Sequence, residues 1–142
     1  MSNSLDFGCI VLTPAGAPDA AIAIAASRAG ALGVLNLEFA SEATAIMTAL
    51  DALERHARRS FGVLIDASDA PLIESLLAAA PAGLETLVLS DITAPGFADT
   101  VAAARAKGLQ SFAVVTSLAE AVIAREAGAE AEGQGIDALD RD

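Results

Sequence analysis

Two segments of this chain, Leu32-Gly33-Val34-Leu35 and Phe61-Gly62-Val63-Leu64, repeat one pattern 29 residues apart, and one residue separates the first from a helix-stopping glycine, Gly30. A short continuous apolar run bounded by turn signals is the mark of a strand buried on both faces, as in parallel sheets whose crossovers are helices. Similar runs begin at Cys9, Leu84 and Ser111, so strand starts fall at 9, 32, 61, 84 and 111, a period of about 25 residues. Strand one is expected to be Cys9 to Thr13, buried on both faces, with Cys9 an inert buried thiol.

The intervening segments carry helical spacing. Ala20 to Ala29, with Asp19 as N-cap, is apolar nearly all round and predicts a deeply packed helix. Ser41 is expected to cap a longer helix in which Ile46, Leu50, Leu53 and Ala57 form a buried stripe opposite Glu54, Arg55, Arg58 and Arg59. Asp69 and Pro71 open a third helix, Pro95 to Lys107 forms a fourth, and Ser117 with Glu120 makes a capping box for a fifth that ends at Gly128.

Five βα units joined by right-handed crossovers define an α/β fold with a parallel sheet and helices outside it. The expectation is a partial (βα)8 (TIM) barrel, with an open flavodoxin-like doubly wound sheet as the alternative; 142 residues are too few for a closed barrel, which takes at least about 200. Residues 1–8 are expected to lack secondary structure, 9–129 to form a single α/β domain, and 130–142 to be an acidic tail without a sixth strand.

Charge narrows the function classes. Nineteen acidic against eight basic residues give a net charge of −11, a field that repels phosphate backbones and argues against nucleic acid as a partner. The absence of Trp and Tyr removes the usual stacking platforms. The longest wholly apolar run, Ala20 to Ala26, is far shorter than a membrane span, and the reading is a cytoplasmic protein. Cys9 is the only cysteine, so no internal disulfide forms.

In either architecture chemistry belongs at the carboxyl ends of the strands. Those exits hold Thr13, Pro14 and Gly16; Asn36 and Glu38; Asp66 and Ser68; Ser90, Asp91 and Thr93; Thr116 and Ser117. Asp66 and Asp91 can pair as carboxylates or bind Mg²⁺, but helix capping and turn formation are the commoner roles of Asp at such places. His56 falls mid-helix beside arginines, where a solvated face is the better reading, and with one histidine no Ser-His pair exists. Gly16 differs from the helix-stopping glycines, because a glycine in that loop lets a ligand approach the backbone.

Thr13-Pro-Ala-Gly16, the alanine-rich helix after it, Ser27-Arg-Ala-Gly-Ala-Leu-Gly-Val-Leu35 and Phe61-Gly-Val-Leu64 together resemble the amino-terminal part of the nitronate monooxygenase (2-nitropropane dioxygenase) family. Val115-Thr-Ser-Leu-Ala-Glu-Ala121 resembles its fifth unit. These are FMN-dependent (βα)8 barrels that include enoyl reductases, some embedded in polyketide synthases. The resemblance implies FMN as cofactor, with Thr13, Pro14, Ala15 and Gly16 against the flavin and Asp66 and Gln134 at further flavin positions. The family commonly has an Asn after the Gly-Val of strand three, where this chain has Leu64-Ile65-Asp66; Ser90-Asp91 stand where nitronate-oxidising members carry a His, and the phosphate-gripping seventh and eighth units have no counterpart. The expectation is therefore a truncated FMN-dependent oxidoreductase-type domain, not catalytic alone, that forms a homo-oligomer or docks on other megasynthase domains. A non-catalytic scaffold or docking domain is the alternative, and a flavodoxin-like receiver module a further one.

Overall fold

The computed structural model describes residues 9–16, 18–58, 60–128 and 130–132. The expected N-terminal stretch 1–8, Arg59 of the basic run, Gln134 and the acidic residues beyond 132 lie outside that set. Strands β1 (Ile10–Leu12), β2 (Leu32–Asn36), β3 (Phe61–Asp66), β4 (Leu84–Ser90), β5 (Gln110–Val114) and β6 (Glu130–Glu132) alternate with helices α1 (Ala21–Arg28), α2 (Ala43–His56), α3 (Ala70–Ala79), α4 (Phe97–Ala106) and α5 (Leu118–Glu126).

Strand order in the sheet follows chain order, β1-β2-β3-β4-β5-β6. The β1–β2, β2–β3, β4–β5 and β5–β6 pairs are parallel. A doubly wound sheet reverses its order at a switch point. No reversal occurs here, so the flavodoxin-like alternative is excluded and the fold class is α/β of the partial (βα)8 barrel type.

Backbone contacts divide the chain into two compact units, the first running to Leu64 and including Pro81–Glu85, the second holding Ile65–Ala80 and the residues from Thr86 on. In the first, β1 pairs with β2 in the register Ile10↔Leu32, and β2 with β3 in the register Val34↔Gly62. The core is Ala23, Val34, Leu35, Leu37, Leu53, Phe61 and Val63. Helix α1 packs so closely on β2 that a Cβ on Gly33 would overlap the carbonyl of Ala23. In the second unit, β4 pairs with β5 in the register Leu87↔Ser111 over a core of Ile65, Leu87, Leu89, Val101, Ala104, Ala113 and Val115.

Six expectations are corrected. Asp19 precedes the N-cap of α1, which is Ala20, although its Oδ1 accepts from Ala21 N–H at 2.9 Å, and His56 is the last residue of α2 and not mid-helix. Strand β1 is shorter than Cys9 to Thr13 and not buried on both faces: Cys9 is exposed and precedes it, and Leu12 is 50% exposed. An edge strand has a neighbour on one side alone, which a local apolar run does not reveal. Helix α1 buries only Ala23, Ala26 and Ser27 and leaves Ile22 half-exposed, since alanine is apolar without needing burial. Ser41 does not cap α2; Glu42 holds the N-cap position without a side-chain hydrogen bond, because Ser41 stands one residue too early. A sixth strand does form, Phe112↔Glu130 setting its register. Its pairing uses main-chain groups, so the Glu-Ala-Glu sequence lacks the apolar run that marks other strands.

Candidate functional site

At the carboxyl ends of β1 and β2, side chains close the main-chain ladder. Thr13 N–H donates to the Val34 carbonyl at 3.0 Å, and the Thr13 hydroxyl accepts from Asn36 N–H at 2.9 Å. Asn36 Oδ1 accepts from Glu38 N–H at 2.9 Å, and the Glu38 carbonyl accepts from Gly16 N–H at 2.9 Å. The two exit loops are thereby tied together. Thr13, 2% exposed, acts as the internal clasp, while Pro14, Ala15 and Gly16 are exposed to any ligand. Gly16 holds φ +97° with open space around its Cβ direction, so the backbone conformation, and not crowding, favours glycine here.

Phe39 was not singled out by the sequence. It lies in the loop after β2, 83% exposed, with φ +64°. For a bulky L-residue that conformation costs of order 1–3 kcal/mol, and the ring recovers none of it by burial. The one available signal was an aromatic beside Glu38 in a strand exit, in a chain with five phenylalanines and no other aromatic except His56.

In the second unit the rim carboxylates are engaged locally. Asp66 Oδ1 accepts from Ser68 N–H at 2.8 Å and from Ser68 Oγ at 2.7 Å. Asp69 caps α3 by accepting from Leu72 N–H at 3.3 Å, and Asp91, at φ +55°, takes a hydrogen bond from Thr93 Oγ1 at 3.4 Å. Ser117 Oγ accepts from Glu120 N–H at 3.1 Å, and the Glu120 carboxylate reaches back to Thr116, accepting from its N–H at 2.9 Å and its hydroxyl at 3.2 Å. The reciprocal cap thus forms one residue earlier than the standard capping box. Among the described residues, no group of three or more His, Cys, Asp or Glu converges as a metal site. The Ser90 hydroxyl, at the end of β4, is buried with no partner among them.

The geometry can be tested against FMN, the cofactor implied by the resemblance. Pro14, Ala15 and Gly16 are exposed and uncharged, and the bond from Gly16 N–H to the Glu38 carbonyl brings their loop beside the one that carries the exposed Phe39; small uncharged groups of this kind suit a flat isoalloxazine. The exits at 13–16, 36–42, 66–69, 90–96 and 116–117 hold five carboxylates and no Lys or Arg. Within the first unit, the exits at 13–16 and 36–42 bring no Lys or Arg of their own to a phosphate, so their chemistry suits the ring of the cofactor better than its phosphate. Of the other expected flavin positions, Asp66 is half-buried in the second unit.

Sequential strand order with polar strand exits defines the class, a (βα)-repeat chain of the partial-barrel type. Within it, the chain is similar to the solved structure of FabK from Thermotoga maritima, with a TM-score of 0.65 and 22% identity over 84% of this chain and 38% of that one. A substituted variant of the same FabK matches with a TM-score of 0.65 and 22% identity over 84% of this chain and 40% of that chain. This chain therefore spans about two-fifths of the length of the FabK chains it matches. No family model and no curated protein matches the sequence.

Proposed function

We propose that this chain is the flavin-ring-binding portion of an FMN-dependent, enoyl-reductase-like barrel, and that it is not catalytic by itself. The observation that carries this reading is the backbone match to FabK over 84% of this chain and 38% of that one. The resemblance of Thr13–Gly16 and Ser27–Leu35 to the nitronate monooxygenase family supports the same cofactor, and a polyketide-synthase-type megasynthase as the setting. When bound, flavin supplies hydride transfer. The chain's own residues orient the ring: Pro14, Ala15 and Gly16 offer backbone and small side chains, and the hydrogen bond from Gly16 N–H to Glu38 fixes their loop. On this reading the strand exits of this chain hold the ring and not the phosphate.

The test is a titration of the purified chain with FMN and with lumiflavin, which has the ring but no phosphate, followed by flavin fluorescence. Both should be quenched saturably and with affinities within about threefold of each other, because a phosphate contact worth even 1.4 kcal/mol would separate them about tenfold. Quenching of neither would remove the flavin reading. A tenfold preference for FMN would show that the chain grips the phosphate after all.

A second reading, a non-catalytic docking domain, is favoured by the exposed apolar side chains of Val114, Leu118, Val122 and Ile123 in the second unit. It predicts a colourless chain, unaltered by FMN, that self-associates.

A further inference from the structure

The amino end of β2 carries a feature that the flavin reading does not use. Where α1 ends, Ser27, Arg28, Ala29 and Gly30 line an open pocket of about 400 Å³ together with Arg58, all within the first unit. Hydrogen bonds place the side chain of Arg28 and the backbone of Arg58. Arg28 Nη1 donates to the His56 carbonyl at 3.3 Å, which ties it to the end of α2. Arg58 N–H donates at 3.0 Å to Ser27 Oγ, and Ser27 is fully buried, so the backbone at Arg58 is anchored to the last turn of α1.

Among the described residues no carboxylate lines the pocket, although acidic residues outnumber basic ones nineteen to eight along the chain. Among the described residues the ion pair found is Arg55 with Asp51, on the exposed face of α2. The competing charge is the carbonyl end of the helices. Each helix C-terminus counts for about half a negative charge, so α1 and α2 together offset roughly one of two guanidinium charges and the pocket stays positive. Two guanidinium forks carried by separate segments suit an oxyanion with several acceptor oxygens. A volume of about 400 Å³ exceeds a bare phosphate and lies within the range of small-molecule sites.

We propose that this pocket binds the phosphate group of a small phosphate monoester, with Arg28 and Arg58 as its two guanidinium ligands. The site is independent of the flavin rim, which lies at the other end of the strands. Isothermal titration of the full chain with glycerol 3-phosphate and with inorganic phosphate, at constant ionic strength set by chloride, tests it. Saturable one-site binding is expected, tighter for the monoester, with affinity about tenfold or more lower in Arg28→Gln and in Arg58→Gln. Lys107→Gln, an exposed charge change elsewhere, should leave it unaltered. If a Gln variant does not fold, as judged by circular dichroism, the corresponding Lys variant replaces it; charge without the fork should still weaken binding. Equal binding of inorganic phosphate would assign the site to free phosphate and keep the two-arginine chemistry. No saturable binding, binding undiminished in the variants, or equally tight binding of succinate would overturn the proposal.

Discussion

Phe39 shows how one residue can be placed at a cost in stability. Its φ of +64° is one that glycine adopts freely, and its ring is 83% exposed. Phe39→Gly should therefore raise the unfolding free energy, by about 1 kcal/mol after the greater backbone freedom of glycine in the unfolded chain is subtracted. The same variant should weaken flavin quenching; urea titration and fluorescence read the two effects separately. Gly33 is the opposite case. A Cβ there would overlap the Ala23 carbonyl oxygen and lie 2.9 Å from its carbon, both main-chain atoms that cannot swing away. Gly33→Ala is expected to cost about 3 kcal/mol. Thr13→Val keeps the shape but leaves Asn36 N–H without its hydroxyl partner, and a loss of about 1–3 kcal/mol should follow.

At the scale of elements, caps follow position as strictly as residue type. Ser117 immediately precedes α5 and accepts from Glu120 N–H, so Ser117→Ala should lower stability by about 1 kcal/mol, seen as a reduced urea midpoint at unchanged slope. Ser41 is also a good capping residue by type, but α2 begins after Glu42. Ser41→Ala is expected to change stability by less than about 0.5 kcal/mol. The pair of measurements separates capping propensity from capping geometry. Strand β6 makes the same point, since Glu130–Glu132 pairs through its backbone without an apolar signature.

For the whole molecule, charge and apolar surface pull in opposite directions. A net charge of −11 keeps copies apart, whereas Leu118 at 57% exposure and Val122 at 39% favour association. Salt screens the first and leaves the second, so the associated fraction should rise with ionic strength up to about 0.15 M, where the Debye length is about 8 Å. Leu118→Glu combined with Val122→Glu should reduce it at every salt concentration. Light scattering measures both, and association that falls with salt would point to charge pairing as its cause.

The start of each long strand was legible in the sequence. Expected starts at 32, 61 and 84 coincide with those observed, and 9 and 111 are displaced by one residue to Ile10 and Gln110. Helix-stopping glycines and Asp69 and Ser117 as caps were legible too. These are local signals, set by φ, by hydrogen bonding over a few residues and by apolar runs. At the strand exits, the sequence placed Thr13–Gly16 after the first strand but did not show the inward role of Thr13, whose partner Asn36 lies 23 residues away. Strand order, the exposure of β1 and α1, the strained Phe39 and the meeting of Arg28 with Arg58 at one pocket were decided only by the tertiary structure. Each depends on which distant segment packs alongside, and a local pattern holds no record of its neighbour.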